Sequence, residues 1–334
     1  MIDLRSDTVT RPSQAMLEAM MAAPLGDDVW GDDPSVNAFQ EALAQRTGKQ
    51  AALLFPSGTQ SNLVALMAHC ERGDEYIVGQ NAHTYRYEGG GAAVLGSIQP
   101  QPIENAADGT LPLEKIEASI KADDPHFART RLLALENTIA GKVLPADYVE
   151  RAVALARQHG LATHLDGARL FNAAVATDTP LDTLCAPFDS VSLCFSKGLG
   201  TPMGSALVGS HDFIQKARRW RKVVGGGMRQ SGLIAAACQY ALDHHVEDLK
   251  EDHRRAARLG EALDALPGIT VTSQATNMVF AQVDKAHIAP LAAWLKEHDI
   301  LLDLVYATRF VVHRDIDDAD IERVIDVMQA FFHR

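Results

Sequence analysis

Alternating apolar runs and helical patterns predict an α/β protein with a mostly parallel sheet, followed by a smaller α+β unit. Three observations carry this prediction. From Ala51 to Leu165, short apolar runs alternate with amphipathic stretches, as in sheets covered by helices on both faces. Chemically distinctive residues recur just past those runs, at Gly58-Thr59, His83, Glu136-Asn137, Asp166, Arg169 and Lys197. Ligands on such sheets sit in that place, outside the carboxyl ends of the strands. From about Ser231 the texture changes to a long charged stretch that leads away from the sheet. The division read from this is an N-terminal arm (1–12), a large unit (13–245) and a small C-terminal unit (246–334).

Residues 1–12 form a polar arm with no periodicity of its own. A helix starts at Ser13, a good N-cap. GDDVWGDDP (26–34) is a loop whose acids serve capping and solvation, since the spacing and closing Glu of a calcium loop are missing. A second helix begins near Ser35. The run Ala51–Phe55 is a strand feeding PSGTQSN and a helical pattern through His69. A strand, a glycine-containing turn and a helix N-terminus offer backbone N–H groups and a helix dipole to an anion. A plain N-cap at Ser57 or Thr59 fits the same residues, and no GK[ST] follows as a P-loop requires. Further strands are read at 75–79, 131–136 and 161–165, with a helix from Pro145 through His159 between the last two. After Ser231 come one long amphipathic helix (232–266), strands at ITVT, NMVFAQV and 309–313, and helices at 289–298 and 318–333.

The chain has 334 residues, 47% of them hydrophobic and 22% charged, which is ordinary for a globular protein of this size. A net charge of −12 without a basic stripe argues against a nucleic-acid partner. Cys70, Cys185, Cys194 and Cys238 show no CxxC spacing and lie in apolar runs, as reduced core thiols of a cytoplasmic protein do. No signal peptide or membrane-length apolar run is read. No His/Cys set has metal-ligand spacing, so no metal is expected. His244, His245, His253, His298 and His333 fall on charged helical stretches and read as solvated.

The most informative stretch is SLCFSKGLGTPMGSALVG (192–209), an apolar strand that ends at Ser196-Lys197, breaks into glycines and returns as a second strand. A lysine ending a buried strand must be desolvated or paired, which suits imine chemistry with a lowered amine pKa. A snorkelling surface lysine fits the segment equally well when it is taken alone. Gathered with an anion cradle (Ser57-Gly58-Thr59), an acid (Asp166) and an arginine (Arg169), Lys197 completes the partners needed by a phosphate, a ring nitrogen and an aldehyde.

At this point the chain resembles the threonine aldolases of the pyridoxal-phosphate-dependent, aspartate-aminotransferase-like fold (fold type I). It is most similar to the bacterial low-specificity or L-allo-threonine aldolases. The matching segments are LRSDTVTRP (4–12), GDDVWGDDP (26–34), FPSGTQSN (55–62), LENT (135–138), HLDGARLFNA (164–173), SLCFSKGLGTPMGS (192–205), GGGMRQSG (225–232) and TNM (276–278). The resemblance implies a mostly parallel seven-stranded sheet, a pyridoxal 5'-phosphate cofactor, and cleavage of β-hydroxy-α-amino acids to glycine and an aldehyde. It also implies a homotetramer built from dimers that share active sites.

Carried over by residue, the resemblance makes Lys197 the imine lysine and Asp166 the partner of the pyridine nitrogen. Arg169 serves the ring hydroxyl and the substrate carboxylate, while Ser57, Gly58, Thr59 and Ser196 hold the phosphate. His83 stacks on the ring near the substrate hydroxyl, with His126 as a second histidine there. Ser6 and Arg309 complete the carboxylate contacts, and Lys222 and Arg229 reach a neighbouring subunit's cofactor. The chain departs from the family pattern at Thr138-Ile139-Ala140-Gly141, where a His-Asn pair is usual, and at Trp30, where tyrosine is usual; Arg86-Tyr87 lies where members vary. Two rival readings keep the cofactor, as a β-eliminating lyase or an aminotransferase. Others are a nucleotide-binding oxidoreductase, which lacks its GxGxxG, and a non-catalytic binding protein.

Overall fold

The structure is a computed structural model describing residues 1–333. Its strands are β1 (Ile2–Asp3), β2 (Ala51–Phe55), β3 (Asp74–Gly79), β4 (Gln99–Ile103), β5 (Arg129–Glu136), β6 (Ala162–Gly167), β7 (Ser190–Cys194), β8 (Ser205–Gly209), β9 (Ile269–Ala275), β10 (Met278–Val283), β11 (Ile300–Leu301) and β12 (Ala307–Val311). A seven-stranded sheet runs β2-β8-β7-β6-β5-β3-β4. Only β8 runs against its neighbours β2 and β7; the other pairs are parallel. The smaller sheet, β12-β10-β9, is antiparallel.

Local chemistry sets the elements. Asp33 caps the helix Pro34–Thr47 by accepting from the N–H groups of Ser35 and Val36, proline opens it, and Gly48 ends it in the left-handed region (φ 62°). Ser57 caps the helix Gly58–His69, in which residues 61–68 are all buried, so this helix is enclosed between the sheet and the segments that cover it. One apolar core joins the sheet, through residues such as Leu54, Ile77, Leu133 and Val191, to the helices that cover it. Each fully buried aliphatic side chain there contributes about 1.5–3 kcal/mol. A second core gathers Leu259, Leu263, Val279, Phe310, Val324 and Met328, and it draws in Ile2 and Leu4 from the other end of the chain.

Several details depart from the sequence reading. The arm is not featureless, because β1 pairs in parallel with β11 and seats Ile2 in the second core. Strand β4 (QPQPI) went unread because its two prolines break the apolar alternation; it lies at the sheet edge, where a missing N–H is tolerated. The stretch 232–266 is two helices, Gly232–His244 and Leu249–Asp264. The break coincides with His245, which is buried and donates from Nδ1 to the Leu199 carbonyl (2.8 Å). His245 is therefore not solvated, and His253 is bonded to Asn172 (3.2 Å). Asp28 does more than solvate its loop. It is buried in an ion pair with Arg221 (2.7 Å), whose guanidinium also donates to the Leu54 carbonyl. The four cysteines are buried and free. No helix among the described residues is long and apolar enough to cross a membrane.

Candidate active site

The carboxyl ends of β3, β5 and β6 and the turn after β7 open into a cleft of about 720 Å³. Ser6, His83, Glu136, Arg169 and Lys197 line it from the sheet side, and Arg309, on β12, faces it from the second sheet. Lys197 enters on the turn closed by the Gly200 N–H to the Lys197 carbonyl (2.9 Å). The same carbonyl accepts from Thr10 Oγ1 (2.8 Å), which ties the turn to the N-terminal segment.

Two arginines meet here in different states. Arg169 is clamped by Asp7 through two bonds, Nε to Oδ2 (2.7 Å) and Nη2 to Oδ1 (2.6 Å). Asp7 is buried and also accepts from Asn277 Nδ2 (3.3 Å). Burial alone pushes the Asp7 carboxyl up, but the Arg169 guanidinium outweighs it and holds the group at about 2. Arg309 donates only to the Arg5 carbonyl (3.1 Å) among the bonds seen here. Burial and the neighbouring Arg169 both push its guanidinium below its usual value. A second guanidinium held near the first without its own carboxylate makes a receptor for an incoming carboxylate.

Three acids crowd the sheet ends. Asp166 accepts from Asn62 Nδ2 (2.9 Å) and from the Ala168 N–H (3.1 Å). Glu88 accepts from the same Asn62 nitrogen (2.9 Å) and meets His83 Nδ1 (2.8 Å). Glu136 accepts from the His83 backbone N–H (2.7 Å). Burial, reinforced by the Asp166 charge, pushes Glu136 up to about 8. Burial also raises Glu88, while the bond to Glu88 raises His83. One ligand atom each from His83, Glu88 and Asp166 lies within 4.8 Å of the others.

Below the cleft, the helix Gly58–His69 points its N-terminus toward β7. Ser57 Oγ accepts from the Gln60 N–H and the Ser57 carbonyl from the Ser61 N–H, which leaves the Gly58 and Thr59 N–H groups for an outside acceptor. A Cβ at Gly58 would lie 2.5 Å from Cys194 Sγ, so only glycine lets the helix start press against the strand that leads to Ser196-Lys197.

The structure thus brings together Ser6, His83, Asp166, Arg169, Lys197 and Arg309, with the Ser57–Thr59 turn beside them. Ser6 Oγ accepts from the Thr8 N–H (3.2 Å) and keeps its own proton to donate. His126 is not brought in by this chain. It is exposed, bonded to Asp124 (2.6 Å), and precedes the first residue of β5, whereas the cleft lies at that strand's last. The loop read as DDPHFART carries it to the wrong end of the sheet. Lys222 and Arg229 do not line the cleft either; Arg229 pairs with Asp27 (2.9 Å) and Lys222 is exposed in the last turn of the helix His211–Val223. Sequence reasoning gave no role to Asp7, Asn62, Glu88 or Glu136, although Asp7, Asn62 and Glu136 stand in quoted motifs and Glu136 ends a strand. Ile139 and Ala140, the departures from the family pattern, lie on the cleft wall.

The donor set suits pyridoxal phosphate. A primary amine, a carboxylate at a strand end with an imidazole nitrogen within 4.8 Å of it, and free N–H groups at a helix start suit its aldehyde, ring nitrogen and phosphate.

A model of the beta-eliminating lyase family matches residues 3–286. The chain is 57% identical to the low specificity L-threonine aldolase of Escherichia coli O157:H7 over 334 residues, covering 100% of both chains. It is 43% identical to low-specificity L-threonine aldolase 1 of Arabidopsis thaliana, covering 98% of this chain and 95% of that one. The fold superposes on Leishmania major threonine aldolase with a TM-score of 0.86 at 22% identity, covering 99% of this chain and 100% of that one. From its fold, its cleft and these full-length matches, the chain belongs to the beta-eliminating lyase family and, within it, to the low-specificity L-threonine aldolases.

Proposed function

We propose that the protein is a pyridoxal-phosphate-dependent aldolase that reversibly cleaves L-threonine, L-allo-threonine and other β-hydroxy-α-amino acids to glycine and an aldehyde. The observation that carries this reading is the meeting of the Lys197 amine and the Arg169–Arg309 pair in one cleft, with the Asp166 carboxylate within 4.8 Å of a ring nitrogen of the cleft-lining His83. When bound, the cofactor supplies an electron sink for the pair released as the substrate Cα–Cβ bond breaks.

The chain's own groups do the rest. Lys197 anchors the cofactor aldehyde, and the Ser57–Thr59 turn with Ser196 holds the phosphate. Asp166 faces the ring nitrogen and favours its protonated form. Arg309 and Ser6 take the substrate carboxylate, beside an Arg169 already fixed by Asp7. His83, steadied through Nδ1 by Glu88, whose bond raises its pKa, accepts the β-hydroxyl proton directly or through one water. A proton returned to Cα completes glycine. With Glu136 raised to about 8, its carboxyl is largely protonated at neutral pH and does not compete as an anion for Lys197.

The same reading divides the chain into a large unit (13–245) and a small one (246–334), with the arm 1–12 folded onto the latter. It makes the protein a cytoplasmic homotetramer of dimers. The exposed Lys222 and Arg229 are offered across the dimer interface, a role supported by the exposed Met21, Trp30 and Val223 on neighbouring segments. The test is product analysis of the purified protein with pyridoxal phosphate and L-threonine. Acetaldehyde and glycine in equal amounts are expected. A 2-keto acid with ammonia would instead favour an eliminating enzyme, and a keto acid formed only with an amino acceptor an aminotransferase.

A further inference from the structure

Behind Asp166 a chain of hydrogen bonds runs into the protein. Asn62 Oδ1 meets His164 Nε2 (3.2 Å), His164 Nδ1 meets Ser190 Oγ (2.8 Å), and Ser190 Oγ meets His69 Nε2 (2.7 Å). Asn62, His164 and Ser190 are buried. The outermost ring, His69, stacks on Phe213 with centroids 4.4 Å apart.

The protons in this chain follow from its first member. Asn62 faces two carboxylates, Asp166 and Glu88, each 2.9 Å from Nδ2. Turning the amide over would aim its carbonyl oxygen at both acids, so the NH₂ must face them, with one hydrogen for each. Oδ1 is then an acceptor, and His164 must carry its proton on Nε2. Burial keeps His164 neutral, at about 3, so its Nδ1 is a bare acceptor for the Ser190 hydroxyl. Ser190 in turn accepts from Nε2–H of His69, which burial likewise holds neutral at about 3. One consistent direction of donation therefore ends at Asp166.

We propose that Asn62 is a positioning residue for the reaction. Its two N–H groups hold Asp166 against the cofactor ring nitrogen and, through Glu88, hold His83 over the ring, while His164, Ser190 and His69 fix the amide's orientation. This rests on the cofactor reading above. A hydrogen bond donated to a carboxylate favours its charged form, and a charged partner in turn keeps a proton on the ring nitrogen. Without Asn62 the Asp166 carboxylate would lose a donor and would favour a protonated ring nitrogen less, and the visible absorption of a bound cofactor would then titrate at higher pH.

The test is a pH titration of the visible absorption of the holoenzyme, together with cofactor affinity by equilibrium dialysis. In Asn62→Ala the absorption transition is expected to rise by about one pH unit or more, and cofactor binding to weaken ~10-fold. Asn62→Leu, which keeps the volume, is expected to do the same. A folded variant with an unchanged transition overturns the proposal. A wild-type protein with no visible band in pyridoxal phosphate overturns the cofactor reading itself, a distinguishable failure. If neither variant folds, the wild type still decides through ¹⁵N NMR. His164 protonated on Nε2 supports the assignment, and a proton on Nδ1 overturns it.

Discussion

The two ends of the main sheet carry acids of the same kind in opposite circumstances. At the amino end of β3, Asp74 meets Arg129 (3.0 Å), and the buried Glu75 is joined by Lys121, Thr130 and Gln99. At the carboxyl ends of β5 and β6, Glu136 and Asp166 are held instead by the His83 and Ala168 N–H groups and the Asn62 amide. The first end spends its charge on cations built into the chain. The second meets Asp166 with neutral dipoles and so keeps its field for a cationic group brought by a ligand, while Glu136 beside it, raised to about 8, stays largely protonated at neutral pH. Charge clusters alone do not mark a site; the identity of their partners does.

The largest expected effect separates the two ends. Asp166→Asn should lower threonine turnover by about 10²-fold or more with little change in melting temperature. Glu75→Ala should leave kcat unaltered and cost about 2 kcal/mol of stability, because it strands the partly buried Lys121. Calorimetry beside steady-state kinetics reads both, and a swap of these phenotypes would break the comparison.

A smaller effect appears in pH dependence. Glu136 is raised from 4.5 to about 8, so the folded chain keeps a proton there that the unfolded chain has lost, and stability falls as pH rises from about 4.5 to 8. In the cofactor-free protein, Glu136→Gln should therefore raise the melting temperature increasingly across that window and have no effect below it. Asp7, lowered from 3.8 to about 2, works the other way. It contributes stability above pH 3.8 that is lost as pH falls toward 2, and Asp7→Asn should abolish that acid-side slope.

The smallest effect concerns the departures on the cleft wall. Ala140 sits at φ 49°, in the left-handed region, next to Gly141 at φ 80°. Ala140→Gly should stabilise the protein by about 0.5–1 kcal/mol in urea unfolding and leave KM for threonine within twofold.

The sheet was largely legible because buried parallel strands read as unbroken apolar runs, and β2, β3 and β5–β8 fall where those runs fall. Strand β4 was hidden by its prolines. Lys197, Asp166, Arg169 and His83 were legible because chemistry-bearing residues stood just past strand ends. Asp7 was not, because its partner Arg169 lies 162 residues away and only tertiary folding joins them. Asn62 was hidden by its place on a helix buried along its length, where an amide gives no periodic signal. His126 shows the reverse, a residue assigned by resemblance that the single chain leaves at the opposite end of β5.

The central claim is that Lys197 is the group through which this cleft acts. The most direct measurement incubates the purified protein with pyridoxal phosphate, reduces it with borohydride and maps the modified peptide by mass spectrometry. The account expects one cofactor per chain, on Lys197, and loss of both label and threonine cleavage in Lys197→Ala. Label on another lysine, or substantial cleavage by that variant, would contradict it.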